Sequence, residues 1–92
     1  MNAYSYVSYK AAELLKELGF NEDCYGEYDE EHRFWERFTP VTYDEVPEES
    51  LIAPQVWLVE YWLAKNFEMV VENITDMDML ENILENLCFS KK

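Results

Sequence analysis

The stretch from Pro54 to Lys65 constrains the fold most. It runs through Val56, Trp57, Leu58, Val59, Tyr61, Trp62 and Leu63, with only Gln55, Glu60 and Lys65 strongly polar among them. A helix that is apolar nearly all round either lies at the centre of a domain or also turns a face to a partner. In a chain of 92 residues such a helix must organise its neighbours. A domain of this size buries only about 60–65% of the surface its unfolded chain exposes. Pro54 suits the first helical turn, and Asn66 suits a left-handed cap at the far end.

Two more helices are predicted. From Tyr9 to Leu18, the residues Ala11, Leu14, Leu15 and Leu18 make one apolar stripe, with Lys10, Glu13 and Glu17 pointing away. Ser8 is the expected N-cap, and Gly19 supplies the left-handed C-terminal residue over which Phe20 folds back. Tyr4, Tyr6 and Ser8 alternate ahead of it, which allows a short leading strand. The last helix starts near Thr75 or Asp76, with Asp78 in its favourable first turn. Leu80, Ile83, Leu84, Leu87 and Cys88 form its inner stripe. Asp78, Glu81, Asn82, Glu85 and Asn86 form its expected outer face.

Strands fill the middle. Cys24–Tyr28 and Arg33–Phe38 are β-prone runs flanking the polar turn Asp29-Glu30-Glu31-His32, so they read as a hairpin. Alternation puts Phe34, Glu36 and Phe38 on one face and Arg33, Trp35 and Arg37 on the other. Gly26 marks a bulge or a close approach. Val41-Thr42-Tyr43 allows a third strand, with Pro40 at an edge or kink, and Asp44–Glu49 reads as an exposed loop. Phe67–Val71 reads as a strand, whose pairing with the hairpin the sequence leaves open. Residues 1–92 thus form one α+β domain, a small mostly antiparallel sheet with about three helices on one face.

Composition narrows the class. Twenty acids and seven bases give a formal net charge of -13, beside 49% apolar and 16% aromatic residues. That apolar content argues against disorder. That charge argues against direct binding to nucleic acid or to an anionic membrane. No apolar run approaches the roughly 20 residues of a membrane span. Met1 to Tyr6 lacks the basic start and apolar core of a secretion signal, so a cytoplasmic protein is expected. Cys24 and Cys88 are then reduced thiols acting as small hydrophobes; a disulfide is allowed but not implied.

The run Ser8-Tyr9-Lys10-Ala11-Ala12-Glu13-Leu14-Leu15-Lys16-Glu17-Leu18-Gly19-Phe20-Asn21-Glu22 resembles the opening of a family of short proteins from phages and integrated elements of gut bacteria. Cys24 and Tyr25, Ala53-Pro54, Trp62-Leu63 and Asn66 with its following apolar strand match the same pattern. The likeness covers about two thirds of the chain. It implies a mobile-element setting in a bacterial host and assigns no catalytic residues.

Enzymatic constellations are weak. His32, the only histidine, falls in the turn and reads as a solvated residue. Nothing sets it against Cys24 or Cys88 with a third orienting group. Gly-rich phosphate loops and nucleophile elbows are missing from the sequence. Two distant cysteines and one histidine do not make a zinc site. Asp76-Met77-Asp78 looks like half a cation site, but acids are favoured at a helix start anyway. No cofactor, metal or catalytic residue is therefore expected. A concave pocket holding a carboxylate of raised pKa would reopen the question.

Two surface features carry the functional expectation. Bases are missing from long stretches, so acids such as Glu30, Glu31, Asp78, Glu81 and Glu85 should project negative potential. Such a field keeps an aromatic-rich protein soluble, steers a basic partner, or imitates the phosphates of DNA. The aromatic side chains also outnumber what a small core holds. Trp35, Trp57, Tyr61 and Tyr28 are the expected anchors of a contact with a protein partner, a second copy of the chain or a basic host protein. The expectation is a non-enzymatic protein-interaction module, with an acidic DNA-mimic inhibitor of a host nucleic-acid-binding protein as the alternative.

Overall fold

The N-terminal helix α1 (Tyr9–Glu17) is set by its ends. The Ser8 hydroxyl accepts the Ala11 N–H at 3.1 Å. At the other end Phe20 N–H donates to Leu15 O and Gly19 N–H to Lys16 O, with Gly19 at φ +94°. These two bonds are the Schellman closure that a glycine at this position permits. In this computed structural model residues 5–71, 74 and 76–91 are described. The further elements are β1 (Cys24–Tyr28), β2 (Phe34–Val41), β3 (Leu51–Ala53), α2 (Val56–Phe67) and α3 (Met77–Lys91). The chain is α+β, with one antiparallel sheet in the order β2-β1-β3.

The hairpin forms as expected, but the third strand lies elsewhere. Val41 ends β2, while Thr42 and Tyr43 leave the sheet. The third strand is Leu51–Ala53, which pairs Gly26 with Ala53, Glu27 with Ile52 and Tyr28 with Leu51. Gly26 is fixed by this crossing. A Cβ there would stand 2.5 Å from the Ala53 carbonyl oxygen and 2.8 and 2.9 Å from the Tyr6 and Phe34 rings. The expected strand Phe67–Val71 does not form. Phe67 is the last turn of α2, and Glu68, not Asn66, takes the left-handed conformation at φ +53°. Asn66 instead donates its side-chain amide to Trp62 O at 3.0 Å. The leading strand reduces, among the described residues, to a single bridge between Tyr6 and Gln55, and Tyr4 lies outside them. Around it Val7 N–H donates to Pro54 O and Val56 N–H to Ser5 O, which satisfies a free donor at the start of α2.

The helix that lies between other elements is α1 rather than α2. It packs on β3 with one side and on α3 with another. Ala11 and Ala12 are fully buried there, and such small side chains let the backbones approach closely. α2 buries Val56, Val59, Trp62 and Leu63, with Trp62 edge-on to Phe20 at 5.2 Å, and leaves Trp57 and Tyr61 outside. α3 begins where expected: Asp76 accepts the Met79 N–H at 2.8 Å, while Thr75 lies outside the described residues. Leu80, Leu84 and Cys88 are buried against the rest.

Candidate functional site

The hairpin turn and the start of β2 build the most structured part of the surface. Asp29 N–H donates to Arg33 O, and His32 N–H to Asp29 O. His32 therefore sits at φ +66°, the left-handed position that closes a three-residue hairpin loop. Its imidazole is solvent-exposed, yet it stacks on Tyr9 with centroids 3.7 Å apart, a contact that the sequence alone did not reveal.

Asp29 anchors this turn. Its Oδ1 accepts the N–H groups of Glu31 and Arg33 at 2.9 and 3.0 Å. Its Oδ2 accepts the Arg33 guanidinium at 3.1 Å and the Trp35 indole N–H at 2.9 Å. These donors, Trp35 foremost and then the Arg33 backbone, pull the Asp29 carboxyl down to about 2. Each donor stabilises the ionised form. The same bond fixes the Trp35 indole, which still keeps 54% of its surface open.

Alternation places Trp35, Glu27 and Asp29 on the outer face of the sheet, away from the face on which Tyr6 and Tyr9 meet Phe34 and Tyr28. Glu27 is only 6% exposed, and its carboxylate is paired with the Arg37 guanidinium. Beyond Glu36 the register slips. Gly26 faces Glu36 but Cys24 faces Val41, so Arg37, Phe38, Thr39 and Pro40 all stand opposite Tyr25. Arg33, Trp35 and Arg37 still share a face as alternation predicts, Arg37 meeting Glu27 and the other two meeting Asp29, and Phe38 emerges fully exposed within the slipped stretch. Pro40 was the visible signal of the slip.

This geometry leaves a cleft of about 500 Å³ lined by Glu27, Asp29, Trp35, Glu36, Arg37, Phe38 and Thr39. A second hollow of about 220 Å³ shares Glu27 and Asp29 and adds Glu30, Pro47, Glu49 and Ser50. Through the shared Glu27 and Asp29 they adjoin as a trough that crosses from β2 over β1 to the loop before β3, with Trp35 and Phe38 at one end and Glu30 and Glu49 at the other.

The expected anchors do not form a single patch. Trp35 belongs to the trough. Trp57 and Tyr61, 45% and 59% exposed, lie one turn apart on α2. The Trp57 indole donates to Gln55 Oε1 at 3.0 Å, and Gln55 bridges Tyr6 on the helix-facing side. Tyr28 drops out of the surface. It is half-buried, donates its hydroxyl to Val7 O at 2.7 Å and packs edge-on against Tyr9 and Phe34.

The expected acidic surface divides too. Glu30, Glu31 and Asp78 are exposed, Glu31 pairing with Arg33. Glu81 and Glu85 are partly exposed but engaged with α1: Glu81 accepts the Ser8 hydroxyl at 2.6 Å, and Glu85 pairs with Lys10. Both tie α3 to α1. Cys24 and Cys88 are buried free thiols. Burial first, then Asp23 and Glu22, pushes the Cys24 thiol up to about 12. No group of three or more metal-ligating side chains occurs among the described residues, nor does a helix long and apolar enough to cross a membrane.

No family model matches the chain, and no curated protein or solved structure matches it.

Proposed function

We propose that the chain is a non-enzymatic protein-interaction module, encoded by a phage or mobile element and acting in the cytoplasm of its bacterial host. The supporting observation is that Trp35, Phe38, Trp57 and Tyr61 stand open on so small a molecule. Large aromatic side chains are the usual anchors of protein contacts, because each contributes much buried area for little lost side-chain freedom. The carboxylate of Asp29, held far down by four donors, suits positioning and not proton transfer near neutrality. The DNA-mimic alternative draws less support, since Glu81 and Glu85 are engaged with α1.

The test is a tagged pull-down from host lysate with the wild type, Trp35→Ser and Trp57→Ser, each checked by circular dichroism. A stoichiometric protein partner lost with a folded tryptophan variant is the expected result. A partner released by salt, displaced by duplex DNA and indifferent to both tryptophans would replace this reading with mimicry.

A further inference from the structure

We infer that the trough on the outer face of the hairpin receives a basic segment of a protein partner, with an arginine or lysine side chain laid across Trp35. This rests on the interaction reading above and names the chemistry of the partner. Trough and segment are complementary in charge and in shape. Five acids, Glu27, Asp29, Glu30, Glu36 and Glu49, and one base, Arg37, line the trough. Asp29 is paired with Arg33 and Glu36 accepts the Tyr6 hydroxyl at 2.9 Å, so Glu30 and Glu49 are the acids left to meet a cation. Arg37 is already committed to Glu27.

Charge alone would not single out this place on a molecule of net charge -13. The aromatic end does. The Trp35 indole is held by its N–H on Asp29 while more than half its surface is open. A cation over an indole face is attracted by the ring quadrupole, and a ring fixed beforehand loses no freedom on binding. Phe38 closes the aromatic end, and Glu30 with Glu49 meets the charge at the other. Two hollows of about 500 and 220 Å³ that share Glu27 and Asp29, reaching from β2 across β1 to the loop before β3, have room for more than one side chain of a segment rather than for one small cation.

The test titrates ¹⁵N-labelled protein with a short oligo-arginine peptide. The Trp35 indole N–H and the backbone of 27–38 should shift, with the Trp57 indole N–H as the internal control. Trp35→Ala, and separately Glu30→Gln with Glu49→Gln, should each weaken binding roughly tenfold. Asp78→Asn on α3 should leave it unchanged. If Trp35→Ala unfolds, the Glu30/Glu49 pair decides alone, because those side chains are exposed. Shifts spread over every acidic surface, equal weakening by Asp78→Asn, or equally tight binding of spermidine at Trp35 would overturn the inference. If the pull-down partner is retained by Trp35→Ser but lost with Trp57→Ser, the interaction module stands and the trough is not its site.

Discussion

Asp29 shows how much one side chain settles locally. It closes the turn through two backbone N–H groups, orients Arg33 and immobilises Trp35. Its carboxyl lies at about 2 in the fold against an ordinary 3.8. The unfolded chain therefore binds the proton more readily, and ionised Asp29 favours the fold at all pH values above 3.8. That contribution fades as pH falls from 3.8 towards 2. Urea midpoints followed across this window should drop in the wild type, and Asp29→Asn should remove that part of the drop. An unchanged slope in the variant would mean that Asp29 does not hold the turn. The sequence marked Asp29 only as a turn residue. Its bond to Trp35 depends on the turn bringing together residues six apart, which composition and alternation do not encode.

At the scale of elements, legibility followed capping chemistry. α1 was readable because Ser8 and Gly19 state its limits in local bonds, and α3 because Asp76 does the same. β3 was not, since three buried residues, Leu51, Ile52 and Ala53, are too few to show alternation. Phe67–Val71 misled for the opposite reason: its apolar run is long enough for a strand, but α2 absorbs its first residue and Glu68 turns the chain. The sequence left α2 either at the centre or turned outward with one face, and side-chain size decides between the two. Two alanines at zero exposure make α1 the helix that fits between β3 and α3. Ala12→Leu should therefore cost about 1–3 kcal/mol through overpacking. Trp57→Leu, on the open side of α2, should stay within about 0.5 kcal/mol of the wild type. Denaturant midpoints of the two variants check this, and reversed effects would place α2 at the centre after all.

For the whole molecule, the dominant fact is a charge of -13 on a Cα radius of gyration of 12.3 Å. Lys10, Arg33 and Arg37 are engaged in pairs with Glu85, Asp29, Glu31 and Glu27, and Lys16 lies over the Tyr43 ring. Most carboxylates thus repel one another across the surface, which destabilises the compact state. Salt should relieve this. Between about 0.01 M and 1 M the Debye length falls from roughly 30 Å to 3 Å. Calorimetry should show Tm rising by about 4–8 °C over that range, as a gain of about 1 kcal/mol gives for a domain of this size. A falling Tm would mean that the ion pairs outweigh the repulsion. The acidity was legible in the sequence, whereas the division of labour among the acids was not. Glu81 and Glu85 are partly exposed, and only the placing of α1 beside them shows that they hold Ser8 and Lys10.

The slipped stretch of β2 also bears on how this chain behaves in a crowd. A free sheet edge with aromatic side chains in view is the usual template for one chain to zip onto the next. Here four residues stand against Tyr25 alone, and one of them, Pro40, offers no N–H. A straight incoming strand finds its ladder interrupted after Glu36. The interruption thus works against strand-to-strand pairing at an edge that leaves Trp35 and Phe38 in view. Trimming Arg37–Pro40 to a single residue would restore a continuous ladder and turn the same surface into a seed for fibres.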